Sequence, residues 1–216
     1  MHRMATASTI PRVKPFVFLA CLIPALLLVR DAFTGGLGVN PIEDITHRTG
    51  DWALRLLLVT LAVTPLRRLA GWHGLIRFRR MLGLFAFFYA TLHFSTYLVF
   101  DHFFNLLLII DDVAERKYVT AGFVGFVLLI PLAVTSTQGW IRRLGRRWTT
   151  LHRLVYASAI AGVVHFLWLV KIDIGEPLIY AAVLAVLLGA RVARWRPRHG
   201  GAVRAGAASP ARSVAR

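Results

Sequence analysis

The chain has 216 residues, of which 57% are hydrophobic, and its formal net charge is +16. Ordinary soluble domains are only about 45–50% apolar, so the composition indicates a membrane protein. A basic excess would suggest nucleic-acid binding in a soluble protein, but no basic stretch here forms a folded domain, and we expect no nucleic-acid partner.

Six apolar segments are candidates for membrane spans, since a helix needs about 20 such residues to cross a bilayer core of ~30 Å. They lie at approximately 15–32, 52–66, 81–100, 118–137, 154–170 and 177–190. We therefore predict an all-α integral membrane protein built as a six-transmembrane-helix bundle. The first segment could also be a signal peptide, but five further spans favour an uncleaved helix.

The distribution of charge predicts the topology. Segments 1–14, 67–80, 138–153 and 191–216 carry 3, 5, 5 and 7 Lys or Arg residues and no acid. The alternate segments 30–51, 101–117 and 171–176 hold all ten acids against five basic residues. Because positively charged loops stay cytoplasmic, both termini are predicted to be cytoplasmic, and the basic ends are expected to contact lipid headgroups.

The segments between spans are too short to form a nucleotide-binding domain. The glycine cluster "GGLGVNP" at 35–41 is neither G-x-G-x-x-G nor flanked by strand and helix patterns. We interpret "GGLGVNPIEDITHRTG" as an external loop in which Pro41 starts a short helical approach to span two. No internal repeat is evident. Pro24, Pro65 and Pro131 are expected to kink their helices, with neighbouring helices satisfying the freed carbonyls.

Histidines are the main candidates for site residues. The only cysteine, Cys21, excludes a disulfide framework and a cysteine-ligated cluster. Three of the eight histidines, His93, His152 and His165, lie in the spans or at their ends. Ionisable residues inside a membrane usually face the bundle interior and are functional.

His93 and His165 are predicted to lie at the same depth. Each is 12 or 13 residues from the basic end of its span, which is about 18–20 Å at the helical rise. Two imidazoles on facing helices can ligate one haem iron.

His152 is expected to behave differently because it lies near the cytoplasmic boundary. A step of 13 residues rotates by about 140° away from the His165 stripe, and the corresponding position in span three is Arg80. His152 would then serve a second, atypical cofactor site or the place where electrons enter. Arg77, Arg79 and Arg80 could pair with a propionate or a phosphate.

Two other functions remain open from the residues. One is a proton-coupled transporter in which the three histidines form a relay, although such proteins often have inverted repeats. The other is a stand-alone ferric reductase acting on external iron through His47 and His102 with Glu43, Asp44 and Asp101.

The chain resembles the haem-binding membrane subunits of the bacterial protein-methionine-sulfoxide reductase system, within the wider ferric-reductase-like transmembrane family. The resemblance covers about residues 15–195. It is carried by "GGLGVNPIEDITHRTG", "IRFRRMLGLFAFFYATLHFSTY", "TSTQ", "RRLGRRWTTLHRLVY", "HFLWLVK" and "PLIY". It implies a ferric-reductase-like domain at 15–195 between a cytoplasmic tail at 1–14 and a tail at 196–216 that we expect to be disordered.

For function, the resemblance implies a multi-pass protein of the bacterial inner membrane that binds haem b and also flavin mononucleotide (FMN). The haem histidines of the family correspond to His93, His152 and His165. Electrons would come from the quinone pool or a cytoplasmic flavin reductase. They would pass to a periplasmic molybdopterin-containing subunit that reduces methionine sulfoxide, so this chain is expected to have no catalytic residues of its own.

The topology is testable with reporter fusions. Fusions within 101–117 and 171–176 should be active only as periplasmic reporters, and fusions after 67–80 and 138–153 only as cytoplasmic ones, because the basic segments are retained inside. The opposite pattern would place the two histidines nearer the wrong face of the membrane.

Overall fold

The computed structural model describes residues 5–193, with side chains from residue 12 onward, and every regular element in that range is helical. The α-helices are α1 (Ala5–Thr34), α2 (Pro41–Leu69), α3 (Arg79–Thr96), α4 (Leu106–Glu115), α5 (Lys117–Val134), α6 (Gln138–Leu144), α7 (Arg146–Leu151), α8 (Leu154–Leu169) and α9 (Gly175–Val192). A 3₁₀ turn, His73–Arg77, precedes α3, and a π-helical turn, Tyr97–Asp101, follows it. The predicted tail at 196–216 lies outside the described residues, whereas α1 already includes most of the predicted tail at 1–14.

The six predicted spans are confirmed. Six helical segments are long and apolar enough to cross a membrane: Arg12–Thr34, Pro41–Leu69, Arg79–Asp101, Lys117–Val134, Arg146–Leu169 and Gly175–Val192. The chain is a multi-pass membrane protein whose fold is a helix bundle.

The predicted helical start at Pro41 is confirmed, and this helical approach continues without a break into span two, as the single helix α2. Asn40 caps the helix: its side chain accepts a hydrogen bond from the backbone N–H of Glu43 at 3.4 Å. Pro41 occupies the first turn, where its missing N–H costs nothing. The Asn40 cap and Pro41 allow the helix to start in a segment of low hydropathy. Helix α2 therefore has about three polar turns before its apolar part.

Two connecting segments contain helices that the sequence did not suggest. The segment 101–117 forms the short helix α4, whose first turn is capped by the side chain of Asn105. The basic segment 138–153 forms α6 and α7, which meet at Gly145 with a φ of 49°. Span four also ends at Val134, slightly earlier than expected. Both segments therefore hold ordered structure beside the ends of the spans.

Two antiparallel helix pairs, α2 with α3 and α5 with α8, make the closest contacts in the bundle. The peripheral helix α1 is attached to the first pair by Tyr89, which is almost fully buried. The Tyr89 hydroxyl donates to the carbonyl of Cys21 at 2.8 Å and accepts from the N–H of Ala25 at 3.0 Å. The hydroxyl thereby bridges the N–H of Ala25 and the carbonyl of Cys21, which would bond directly in a regular helix, beside Pro24.

Helix α9 is attached to α2 at Pro65. A proline has no N–H to donate to the carbonyl four residues earlier, which here is that of Leu61. Arg191 of α9 donates from Nη2 to this carbonyl at 2.8 Å. The expectation that a neighbouring helix satisfies a carbonyl freed by proline is confirmed at this position.

The α5–α8 pair is packed through small residues. Ser158 is almost fully buried and donates its hydroxyl to the carbonyl of Gly125 at 2.8 Å. A Cβ added at Gly125 would lie 3.4 Å from the Cβ of Ala161 and 3.5 Å from the N of Gly162. Small side chains allow such close approach between membrane helices, and α8 is thereby held at a fixed distance from α5.

Gly125→Leu should therefore destabilise the protein, by about 1–3 kcal/mol as for other overpacked cores. Gly189→Leu is the matched control, since a Cβ there meets nothing within 4 Å. Thermal unfolding in detergent should show a lower midpoint for the first variant only. Equal midpoints would mean that the α5–α8 contact is not tightly packed.

Candidate functional site

The site lies where the two helix pairs face each other. His93 of α3 and His165 of α8 have their ring centroids 6.0 Å apart, with the ring planes inclined at 73°. Both side chains are partly or largely buried among the helices. The prediction that His93 and His165 lie close together at the same depth is confirmed by this distance.

Each imidazole is oriented by a backbone carbonyl of the partner helix in its pair. His93 Nδ1 lies 2.9 Å from the carbonyl oxygen of Thr46, and His165 Nδ1 lies 2.7 Å from that of Tyr118. A carbonyl only accepts hydrogen bonds, so Nδ1 must carry the proton in both rings. Each Nε2 is then the unprotonated nitrogen, which is the form in which histidine ligates a metal.

Glycines on α2 and α5 make room for this arrangement. A Cβ added at Gly50 would lie 3.0 Å from His93 Nδ1, and one at Gly122 would lie 2.8 Å from His165 Nδ1. Each glycine stands four residues after the accepting carbonyl, one helical turn along the same face. The absence of a side chain at these two positions is what lets each ring reach the helix backbone.

The two halves of the site have the same arrangement of an accepting carbonyl, a glycine and a histidine, separated by a constant number of residues. Thr46, Gly50 and His93 become Tyr118, Gly122 and His165 on adding 72 to each residue number. The expectation of no internal repeat therefore needs correction at the level of structure. Both helix pairs run in the same direction along the chain, so this repeat is parallel, unlike the inverted repeats of many transporters.

The residues present fit a haem iron held between the two rings. A metal–nitrogen bond of about 2 Å on each side would place two axial imidazole centroids roughly 6 Å apart, as observed here. Phe94, the next residue after His93 in α3, stacks on Phe126 of α5 with the ring centroids 4.7 Å apart, and this pair adds apolar surface between the two helices. Apolar surroundings limit the access of water and influence the redox potential of a metal.

His152 is in a different environment at the other end of α8. Its ring stacks on Trp148 at 3.9 Å, and its Nε2 lies 3.1 Å from the hydroxyl of Thr135. That hydroxyl gives its only proton to the carbonyl of Pro131 at 2.6 Å, so His152 Nε2 must be the donor and Nδ1 the free nitrogen. The unprotonated nitrogen of His152 is therefore Nδ1, whereas that of His93 and of His165 is Nε2.

The backbone around His152 also departs from regular α-helical hydrogen bonding. The N–H groups of Arg153 and Tyr156 donate three residues back, to Thr150 and Arg153, rather than four. Bonds of this kind overwind a helix, and they separate α7 from α8. His152 and His165 therefore do not lie on one ideal continuous helix, as the 13-residue spacing assumed.

The three arginines predicted beside this end lie around the start of α3. Arg77 ends the 3₁₀ turn and is exposed, as is Arg80, whereas Arg79 is half-buried. Arg79 is close enough to His152 for their charges to interact. Arg79 therefore places a basic group beside His152.

The residues considered for a stand-alone ferric reductase do not form a metal site within residues 5–193, where no three His, Cys, Asp or Glu side chains converge. His102 contacts Asp112 at 3.2 Å, and the same carboxylate accepts from Tyr97 and Arg116 at 2.9 and 2.7 Å. His47 is exposed on α2. The buried Asp112 attaches α4 to the end of span three, which is a structural role.

Comparison with known proteins assigns the chain to a family. The family described as ferric reductase like transmembrane component matches residues 49–163. A protein of Herminiimonas arsenicoxydans, named protein-methionine-sulfoxide reductase heme-binding subunit MsrQ, is 54% identical, covering 83% of this chain and 84% of its own length. This chain belongs to the MsrQ family.

Other relatives support the same assignment. MsrQ proteins of Xanthomonas axonopodis pv. citri and Bordetella pertussis are 51% and 49% identical, covering 87% and 91% of this chain and 88% and 97% of their own lengths. No solved structure matches the chain.

Sequence reasoning missed the residues that orient the histidines. Gly50 and Gly122 are separated by 72 residues, as are His93 and His165, and this equal spacing was the available signal. The accepting groups of Thr46 and Tyr118 are backbone carbonyls, which leave no mark on side-chain identity. Thr135 was also missed, because it contacts His152 only through the fold. Trp148 stands four residues before His152, and this helical spacing was the available signal for their stacking.

Proposed function

We propose that this chain is the haem-binding electron-transfer subunit of a bacterial protein-methionine-sulfoxide reductase system. His93 and His165 would ligate a b-type haem through their Nε2 atoms. The single observation that carries the proposal is that both Nδ1–H groups are held by backbone carbonyls while the two rings face each other at 6.0 Å. The relatives named heme-binding subunits support it.

The bound haem would supply reversible one-electron chemistry. The chain's own residues would position and tune it. The carbonyls of Thr46 and Tyr118 keep both imidazoles in the neutral Nδ1–H form and raise the basicity of Nε2, and the apolar walls exclude water. Electrons would arrive from the quinone pool or a cytoplasmic flavin reductase and leave to a periplasmic molybdopterin-containing subunit, where methionine sulfoxide is reduced.

His152 would serve the cytoplasmic side of this route. Its stacking on Trp148 and its proximity to Arg79 support a second cofactor site or the place where electrons enter. Arg77, Arg79 and Arg80 would pair with a propionate or a phosphate, and FMN is the second cofactor that we propose. The tails at 1–14 and 196–216, both cytoplasmic in this proposal, would flank the ferric-reductase-like domain at 15–195.

A histidine relay is less well supported as the function. His93, His165 and His152 each hydrogen-bond to a different partner: the carbonyl of Thr46, the carbonyl of Tyr118 and the hydroxyl of Thr135. A relay requires imidazoles linked to one another or to carboxylates. The observed partners favour fixed orientation over proton transfer.

Visible absorption spectra of histidine variants test the proposal. His93→Ala and His165→Ala should each abolish the low-spin haem signal of the reduced protein, because each removes one axial ligand. His152→Ala should retain that signal while losing either part of the total haem or the rate of reduction by the donor. His73→Ala, at an exposed position in the 3₁₀ turn before α3, is the control and should match the wild type. If His152→Ala removes the low-spin signal as fully as the other two while still folded, the pairing is wrong.

The glycines provide a second, independent test. Gly122→Ala should lower the haem content or shift the midpoint potential, because its Cβ would lie 2.8 Å from His165 Nδ1; Gly50→Ala should act similarly on His93. Gly83→Ala is the matched control, since its Cβ would lie 3.6 Å from Thr60. Haem content and potentiometric titration provide the measurements. A wild-type potential in Gly122→Ala would show that the Tyr118 carbonyl does not orient His165.

The partner is tested by reoxidation in membranes. Reduced protein should be reoxidised when the periplasmic reductase and methionine sulfoxide are added together, and should stay reduced with methionine sulfoxide alone. The spans and short loops offer no fold for binding the substrate, which is the reason for this expectation. Direct oxidation by methionine sulfoxide would place the active site in this chain.

A further inference from the structure

The short helix α4 and the turn before it carry a group of exposed apolar side chains. Five of them are between 62% and 80% exposed: Phe103, Phe104, Leu106, Leu107 and Ile110. Single exposed apolar residues need no explanation, whereas a larger exposed group marks a surface that contacts a membrane or another molecule. These five residues lie within the single stretch 103–110, so they form such a group.

The residues of α4 divide into three faces. At about 100° per residue, the exposed apolar side chains of the helix fall within a sector of about 100°: Leu106, Leu107 and Ile110. Asp111 and Glu115 lie on the adjoining face, and both are exposed. The third face packs against the protein through Ile109 and Asp112, which are buried, and the half-exposed Leu108 lies between the acidic and the packed faces. The exposed side of α4 is therefore apolar on one flank and acidic on the other.

Contacts with two neighbouring spans determine the depth of α4. The carboxylate of Asp112 accepts a hydrogen bond from the hydroxyl of Tyr97 at 2.9 Å, and Tyr97 lies in the last turns of the span Arg79–Asp101. On the other side, the hydroxyl of Thr120, in the first turn of α5, donates to the carbonyl of Val113. Helix α4 therefore lies within a side chain's reach of the outermost turns of two spans.

The connections at both ends of α4 are short. Arg116 alone separates the end of α4 from the start of α5, and consecutive Cα atoms are only about 3.8 Å apart. Before α4, the N–H of Phe104 donates to the carbonyl of Leu98 at 2.9 Å, so the chain folds back onto the end of span three. Both ends of α4 are thus held at the same surface of the bilayer.

The turn before α4 holds two aromatic residues in an uncommon backbone conformation. Phe103 and Phe104 have φ of 46° and 59°, in the left-handed region that bulky residues rarely adopt. Such strain persists where the surrounding structure imposes it, and it is concentrated at functional positions. Close by in the chain, Val99 and Phe100 are the exposed apolar residues at the end of span three. Exposed apolar side chains therefore continue from the span through the turn into α4.

We propose that Phe103, Phe104 and the apolar face of α4 lie in the bilayer interface, in contact with lipid at the end of span three. Interfacial helices bury Phe and Leu side chains at the boundary between headgroups and acyl chains, with their polar face towards water. The depth of α4 favours lipid over a soluble partner, because the bilayer surrounds the outermost turns of the spans. Leu106–Glu115 contains no Lys or Arg, so the contact depends on apolar burial and not on anionic headgroups.

Collision rates of a nitroxide spin label test the proposal in full-length protein reconstituted into phosphatidylcholine vesicles. Single labels are attached at Leu107→Cys and Ile110→Cys on the apolar face, and at Asp111→Cys and Glu115→Cys as matched controls on the acidic face. Cys21 is buried, so the unsubstituted protein serves as the labelling blank. Oxygen concentrates in lipid, whereas a nickel chelate stays in water. The ratio of oxygen to nickel collisions should be several-fold higher at the two apolar positions.

Equal ratios at the four positions would overturn the proposal. A label at Leu107 that collides with neither reagent would also overturn it, because protein, such as a second copy of the chain, would then cover this face. Replacing part of the phosphatidylcholine with phosphatidylglycerol should leave the ratios unchanged, and a lipid contact seen only with phosphatidylglycerol would contradict attachment by apolar burial. The four substituted side chains are exposed, so each variant should unfold at the wild-type midpoint. The measurement needs no haem and is independent of the proposed electron transfer.

Discussion

Two hydrogen bonds between an imidazole and a helix backbone determine the arrangement of the site. Each requires that a histidine of one helix approach a carbonyl of its neighbour across a glycine, at Thr46 with Gly50 and at Tyr118 with Gly122. A helical carbonyl is already an acceptor within its own ladder, and its second lone pair is available for the ring. The bond fixes both which nitrogen carries the proton and where the other nitrogen points.

This constraint explains why the bundle is built from two tight helix pairs. The pairs α2–α3 and α5–α8 each contain an accepting carbonyl, a glycine and a histidine, and their mutual packing brings the two rings to 6.0 Å. Other contacts keep the pairs in place: Ser158 on the carbonyl of Gly125, and Arg191 on the carbonyl of Leu61. Arg191 thereby satisfies a carbonyl that Pro65 leaves without a helical donor, and Ser158 adds a second hydrogen bond to a carbonyl that is already paired in its helix.

Much of the fold was predictable because hydropathy and charge act over whole segments. Six spans and the level pair His93 and His165 follow from lengths and depths alone. The start of a helix at Pro41 followed from the proline itself, whereas its unbroken continuation into span two did not, since residues 41–51 have low hydropathy. The contact of Arg191 with Leu61, the orientation of His152 by Thr135 and the parallel repeat depend on tertiary packing or on backbone atoms, which a single sequence does not display.

We propose that His93 and His165 would ligate one haem iron while keeping the ring orientations of this structure. Electron paramagnetic resonance of the oxidised, haem-loaded protein tests this proposal directly, because the angle between the planes of two imidazole ligands determines the anisotropy of a low-spin ferric signal. With the planes inclined at 73°, we expect the strongly anisotropic low-spin signal of nearly perpendicular rings. A rhombic low-spin signal of nearly parallel rings, or a high-spin signal, would contradict the proposal.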